Sequence, residues 1–315
     1  MTKVAVLGAG AWGQALATVA ARAGHHTTLW ARRPSRVTAE SRAIAVIGDL
    51  ALTTAPVVVL AVPAAAVVPV TRAAVPHLAN DAVLVNAAKG FDPETGDTLS
   101  RALAPLVGAR PVAVLSGPSF AAEVMAGEPT AATVAAADLK VAARVADVLG
   151  GPTFRLYTAT DVIGVEIAGA LKNVLAIACG IAAGLGFGAN ARAALVTRGL
   201  AELGRLVLAE GGRSETVMGL AGLGDVVLTC TSDQSRNFAF GRRLGAGMSI
   251  EAALAASRGV VEGAGSVAPM VTRAERLGVE LPIAAAVDRV LNHGADLSHE
   301  VAALLARPPR GDETV

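Results

Sequence analysis

"KVAVLGAGAWGQALATVAARAG", residues 3–24, decides the fold. It opens with an apolar run of strand length, breaks at a turn containing Gly8, Gly10 and Gly13, and continues as a helical period over residues 11–23. The G-x-G-x-x-G spacing is weak alone. Ending a strand and opening a helix, it acquires a mechanism. Gly8 permits the tight turn, Gly10 lets backbone N–H groups approach a pyrophosphate, and Gly13 lets helix and strand pack closely. The helix N-terminus then favours negative charge. A purely structural turn is the alternative.

Working outward, further apolar runs follow: "HTTLW", "VVVLAV", "AVLVNA" and "VAVLSG", with the weaker "TAATVAAA" and "FRLYT". Near-continuous apolar runs are the mark of strands covered on both faces. Helical stretches such as residues 97–107 lie between them, and Gly24 and Gly108 stand where C-terminal caps belong. Alternating β and α segments predict an α/β fold, an N-terminal doubly wound parallel sheet of the Rossmann type. After about Asp161 the strands stop, and helical periods alternate with glycine-rich joints, "GGRSE", "GLAGLGD" and "GAGMS". The expected division is residues 1–158 for the dinucleotide-binding domain and 159–315 for a mostly α-helical domain. The tail "RPPRGDETV" reads as a frayed end.

Composition limits the classes of function. A hydrophobic fraction of 53% built on alanine and valine, with 3% aromatics, suits close-packed helices and buried strands. The longest apolar stretch, "APVVVLAVPAAAVVPV", contains Pro56, Pro63 and Pro69 and cannot be one spanning helix. A net charge of +1 gives no electrostatic reason to expect nucleic acid or an anionic membrane as partner. The opening "MTKVAVLGAG" lacks the layout of a signal peptide. Cys179 and Cys230 sit in apolar segments without metal-ligand spacing, so two buried thiols and no metal are expected. The expectation is a cytoplasmic protein with no membrane insertion.

The end of the second strand bears on the cofactor. An NAD-specific fold usually places a carboxylate there for the ribose hydroxyls. "TTLWARRPS" offers Ala31, Arg32 and Arg33 instead, and two guanidiniums accommodate a 2′-phosphate. NADPH is therefore favoured, with NADH possible. A solvated basic turn is the plainer reading.

In "IAGALKNVLAIACGIAAGLG", residues 167–186, Lys172 and Asn173 interrupt an apolar helix. Residues three, four and seven away from Lys172 are Val165, Ala168, Gly169, Leu175, Ala176 and Cys179, which form no polar stripe. A lysine on such a face ordinarily snorkels to water. Here its small neighbours leave room for a ligand. Oxidising a secondary alcohol removes a hydride from carbon and a proton from oxygen, and a partly desolvated lysine suits the proton transfer. Asn173 can hold a substrate hydroxyl or fix the helix's surroundings.

Three other polar clusters stand in apolar surroundings. Lys89, in "VNAAKGFD", lies just beyond a strand's C-terminal end, where ligands of open α/β sheets bind. Gly117 and Ser119, in "LSGPSFAAEV", lie at a strand-to-helix junction with free N–H groups and a hydroxyl. Ser235, Arg236 and Asn237, in "TSDQSRNFAFG", are a dense donor set suited to phosphate. A surface lysine, a cap and a turn are the respective alternatives. Jointly the clusters describe a small phosphorylated alcohol beside a nicotinamide.

The stretches "GAGAWGQALA", "LAVP", "AAKG", "SGPSFAAEV", "GALKNVLAIACGIAAGLGFGANARAALVTRGLAE", "GLAGLGDVVLTCTSDQSRNFAFG" and "VVEG" span nearly the whole chain. In these the sequence resembles the bacterial NAD(P)-dependent sn-glycerol-3-phosphate dehydrogenases. The resemblance implies reversible reduction of dihydroxyacetone phosphate to sn-glycerol 3-phosphate, feeding phospholipid synthesis, by a homodimer. It implies that Lys172 is the proton acceptor and that Asp225 orients it or a substrate hydroxyl. Lys89 would touch substrate and cofactor. Gly117, Ser119, Asn173, Ser235, Arg236 and Asn237 would contact the substrate, with Arg236 also reaching the cofactor. Gly8, Gly10, Ala11, Trp12, Gly13, Arg32, Arg33, Ala121, Val260 and Glu262 would line the dinucleotide.

Two departures stand out. Ala11 replaces the family's usual serine, which removes one side-chain hydrogen bond to the cofactor. The stretch "RPSRVTAESRAIAVIGDLALTTAP", residues 33–56, is shorter than the family pattern and lacks its aromatic, Pro-Gly-containing loop. Two rival readings follow from the residues. A related hydroxyacid dehydrogenase would also pair a Rossmann domain with a lysine base, but it must grip a carboxylate, which needs fewer donors than are present. A non-catalytic NADP(H)-binding sensor would have no use for a buried proton acceptor.

Overall fold

The protein is described from a computed structural model covering residues 1–34 and 43–308. It packs as two compact units, Met1–Glu166 and Ile167–Val315. The boundary expected after residue 158 falls near the end of the last strand, whereas packing divides the chain inside the helix that follows it. Part of the shortened stretch, residues 35–42, and most of the tail, residues 309–315, lie outside the described residues.

The first unit is an eight-stranded sheet in the order β3-β2-β1-β4-β5-β6-β7-β8. Its strands are β1 (Lys3–Leu7), β2 (His26–Trp30), β3 (Ile44–Ile47), β4 (Val57–Leu60), β5 (Val83–Asn86), β6 (Val112–Ser116), β7 (Thr130–Ala136) and β8 (Phe154–Ala159). Its helices are α1 (Ala11–Arg22), α2 (Ala64–Ala74), α3 (Leu99–Val107), α4 (Ala121–Ala126) and α5 (Leu139–Leu149). The period of two along β1 sends alternate side chains into two cores. Val4 and Val6 pack with Leu16 and Val19 of α1 and Val145 of α5, while Ala5 and Leu7 pack with Val67 of α2 and Leu103 of α3. Both faces are covered, and so the strands read as unbroken apolar runs.

The sheet differs from the expected one in two respects. The edge strand β3 was not anticipated: it is four residues long and only its first is buried, so it carries no continuous apolar signature. β7 runs antiparallel to β6, register Leu115 opposite Val134, while β8 returns parallel to β7. Mixed sheets of this kind are common in doubly wound folds. Strand order reverses at β1 and β4, the place where such folds bind ligands. Gly24 and Gly108 take φ +86° and +62° just past α1 and α3, as their capping positions require.

Among the described residues the remainder is helical: α6 (Val162–Gly184), α7 (Ala189–Ala209), α8 (Ser214–Val217), α9 (Asp225–Cys230), α10 (Arg236–Gly245), α11 (Ile250–Ala255), α12 (Glu262–Arg276), α13 (Pro282–Asn292) and α14 (Leu297–Leu305). α6 begins where Asp161 Oδ1 accepts the Gly164 N–H at 2.9 Å. It is long and apolar enough to cross a membrane, yet 83% of its most apolar window is buried within the protein, which makes it a core helix.

Glycines let α10 lie directly on α6. A Cβ at Gly180 would come within 2.1 Å of Phe238 O, one at Gly184 within 2.2 Å of Arg242 O, and one at Gly241 within 2.1 Å of Ile177 O. At such spacing the two backbones touch. The contact seats α10 along the C-terminal third of α6, the helix that also carries Lys172 and Asn173.

Candidate active site

In the first unit, the turn after β1 brings backbone together too closely for side chains. Gly8 has φ +117°, and a Cβ there would meet Ala61 O at 2.6 Å, while one at Gly13 would meet Gly8 O at 1.7 Å. Space around Gly10 is open, and the first turn of α1 has no side-chain cap among the described residues. A bare loop leading into an uncapped helix is suited to an anion. Ala11 is exposed; Trp12 is half-buried, its ring edge-on to Phe154 at 6.5 Å. Arg32 and Arg33 are both exposed just past β2.

Lys89, Gly117 and Ser119 come together. Gly117 O accepts from Lys89 Nζ at 2.9 Å and from Ser119 Oγ at 3.0 Å. Lys89 is thus a half-buried, directed side chain rather than a surface lysine. Gly117 has φ +150°, and a Cβ there would lie 2.8 Å from Ala132 Cα, which excludes larger residues. Ala121 opens α4, four residues on.

In the second unit, Lys172 is 7% exposed and its Nζ donates to Asp225 Oδ1 at 2.7 Å and to Thr229 Oγ1 at 2.9 Å. The Thr229 hydroxyl donates to Asp225 Oδ1 at 3.1 Å, and Asp225 is fully buried. Besides its small apolar neighbours, a carboxylate and a hydroxyl face Lys172, and they offset the cost of burying the ammonium. Thr229 was missed. Its signal was the i, i+4 spacing from Asp225, which puts both side chains on one face of α9. A π-helical turn, Leu220–Gly224, feeds Asp225 into α9, and a Cβ at Gly222 would strike Val217 O at 2.1 Å. The glycines of "GLAGLGD" are therefore what deliver the carboxylate.

Asn173 joins three helices. Its Oδ1 accepts from Asn237 Nδ2 at 2.8 Å, and Asn237 Oδ1 accepts from Gly263 N at 2.9 Å. These bonds fix the surroundings of Asn173. Ser235 caps α10, its Oγ accepting the Phe238 N–H at 3.2 Å. Arg236 is exposed beside Gly259, where a Cβ would lie 3.1 Å from its Nη1, and the neighbouring Val260 is 47% exposed. Glu262 is half-buried in the first turn of α12. Cys179 and Cys230 are free and buried. The adjacent Cys179 thiol, with burial, pushes the Cys230 thiol well above its ordinary range, so it stays protonated and inert.

Comparison with known proteins places both units of the chain in one family. Residues 3–47 and 41–142 match the model of the NAD-dependent glycerol-3-phosphate dehydrogenase N-terminus, and residues 161–302 match that of the C-terminus. The N-terminal match comes in two pieces meeting at residues 41–47, within the shortened stretch. The chain is 46% identical over 326 residues to the glycerol-3-phosphate dehydrogenase (NAD(P)+) of Parvibaculum lavamentivorans, covering 98% of each chain. It is 48% identical over 322 residues to that of Thioalkalivibrio sulfidiphilus, covering 96% of this chain and 97% of the relative. The crystal structure of glycerol-3-phosphate dehydrogenase from Coxiella burnetii superposes with a TM-score of 0.93 at 37% identity, covering 97% of this chain and 99% of that one. By these matches, which run through both units, the chain belongs to the NAD-dependent glycerol-3-phosphate dehydrogenase family.

Proposed function

We propose that the chain reversibly reduces dihydroxyacetone phosphate to sn-glycerol 3-phosphate with NADPH, NADH also serving, and so supplies glycerophospholipid synthesis. Residues 1–158 take the dinucleotide and residues 159–315 hold the chemistry. The supporting observation is the buried ammonium of Lys172 against Asp225 and Thr229. A lysine so held is a proton carrier kept out of bulk water.

The loop residues fit a dinucleotide: Gly8 and Gly13 admit no side chain, Gly10 leaves backbone N–H groups bare, and Arg32 and Arg33 offer charge for a 2′-phosphate. Ala11, Trp12, Ala121, Val260 and Glu262 line the same ligand. When bound, the reduced nicotinamide supplies a hydride. Lys172 Nζ gives a proton to the substrate's carbonyl oxygen in the reducing direction and takes the alcohol proton in the other. Asp225 and Thr229 keep that ammonium in one orientation, which limits the reorganisation needed at the moment of transfer. Lys89 reaches substrate and cofactor, and Gly117 and Ser119 contact the substrate. Arg236 grips the phosphate and also reaches the cofactor, beside Ser235 and Asn237, while Asn173 keeps Asn237 in register. The family resemblance supports a homodimer, and two reduced, buried thiols are in keeping with the cytoplasm.

An absorbance assay with dihydroxyacetone phosphate and each reduced nicotinamide tests the reading. Substrate-dependent loss of NADPH absorbance is expected. Faster oxidation of a hydroxyacid than of glycerol 3-phosphate would overturn the substrate, and NADPH binding without turnover would overturn the enzyme.

A further inference from the structure

We propose that Glu166 is a positioning residue that clamps both ends of the segment carrying Lys89. This rests on the reading of Lys89 as a substrate contact. Glu166 is buried, and donors from Asn86, Thr98 and Ser100 converge on its carboxylate. Asn86 Nδ2 donates to Oε1 at 3.2 Å, Ser100 N donates to Oε1 at 2.9 Å, and Ser100 Oγ donates to Oε2. Asn86 is the last residue of β5 and is fully buried; Ser100 lies in the first turn of α3, which has no side-chain cap of its own among the described residues.

The residues between those two anchors form one closed segment. Phe91 bridges Thr98, Asp92 N donates to Asp97 O at 2.9 Å, and Asp92 Oδ2 accepts from Thr95 N at 3.0 Å and Thr95 Oγ1 at 2.7 Å. Internal bonds hold its shape, while the carboxylate sets its placement. On the near side, Asn86 Oδ1 accepts the Ala88 N–H at 3.1 Å, so one amide passes the restraint from Glu166 to the residue preceding Lys89. On the far side, the carboxylate takes a donor that α3 leaves unsatisfied and suits that helix end electrostatically. Burying a carboxylate is costly, and an apolar residue of the same size would be tolerated more easily if filling space were its task. Burial pushes the Glu166 carboxyl above its ordinary range, and its donors from Ser100, Asn86 and Thr98 pull it back. A neutral isostere can therefore do the same work: the glutamine oxygen accepts both N–H groups and its amide donates to Ser100 Oγ.

The test is a cycle of Glu166→Ala, Glu166→Gln and Lys89→Ala, with and without their combination, assayed for KM and kcat with dihydroxyacetone phosphate. Glu166→Ala should raise KM about tenfold while kcat changes less than about threefold, and Glu166→Gln should stay within about twofold of the parent. Adding Glu166→Ala to Lys89→Ala should cost no more than about twofold further, because residues acting through one group are not additive. Should Glu166→Ala fail to fold, Ser100→Ala, which keeps the backbone donor, and Asn86→Ala take its place in the cycle. Unchanged KM, glutamine as harmful as alanine, or multiplying losses would overturn the clamp alone. A Lys89→Ala enzyme with parental KM would overturn the substrate contact, and the clamp with it.

Discussion

Lys172 and Asp225 act as a unit, since each is the partner that makes burial of the other tolerable. Lys172→Ala should lower turnover by about a hundredfold or more, a loss typical of removing a general acid–base, while NADPH still binds. Because it strands a buried carboxylate, Lys172→Ala with Asp225→Asn is the better-folded companion. It should turn over no more slowly than the single variant, within about threefold. Near-parental turnover in either removes the proton-transfer role. For the cofactor, Arg32→Asp together with Arg33→Asp should lower the NADPH-to-NADH ratio of kcat/KM by at least about tenfold, since two anions would then face the 2′-phosphate. A steady ratio would make those exposed guanidiniums surface charge. At this scale the sequence was most legible where a residue violates its surroundings, as Lys172 does in an apolar helix, whereas Asp225 entered only through the family resemblance. Residues that look ordinary stayed hidden. Thr229 is one more polar residue near a helix end, and Asn86, Ser100 and Glu166 meet across separations of 66 and 80 residues that no local pattern encodes.

Between elements, the contact of α6 with α10 carries the site, and glycine governs it. Gly241→Ala would drive a Cβ to 2.1 Å from Ile177 O, a backbone atom that cannot swing aside. The helices must separate, at a cost of about 1–3 kcal/mol, and Asn237 should shift against Asn173. The expected result is a midpoint lower by several degrees together with a raised substrate KM. Gly265→Ala is the control: it lies in α12, is exposed, and meets nothing within 4 Å, so it should be neutral or stabilise by about 0.5–1 kcal/mol. Equal behaviour of the two variants would refute the packing role. Elements covered on both faces were readable because burial writes itself as unbroken apolar runs. β3 escaped because an edge strand needs no such run. The antiparallel setting of β7 escaped because hydrophobicity is blind to strand direction, as buried strands of either sense look alike.

For the molecule as a whole, stability should depend on pH through a carboxylate remote in sequence from the proposed catalytic residues. Burial pushes the Glu202 carboxyl from 4.5 up to about 7, against the pull of two backbone donors, Ile283 N at 2.6 Å and Ala284 N at 3.2 Å. These tie α7 to the start of α13. Below pH 4.5 the group carries its proton in both the folded and unfolded states. Between 4.5 and about 7 the unfolded chain releases it while the folded chain keeps it, so rising pH favours unfolding across that window. The shift corresponds to about 3 kcal/mol, present in full at the acid end and lost above about 7. Glu202→Gln removes the titration but turns an amide toward Ala284 N–H, so it should be the less stable protein at pH 5. As pH rises to 8 the parent should lose midpoint relative to the variant by several degrees, narrowing or closing the gap. Glu166 and Glu300 titrate in both proteins and cancel in the difference. Parallel midpoint curves from pH 5 to 8 would mean that Glu202 is ionised throughout, held by the two N–H donors at the head of α13 more strongly than burial disfavours it.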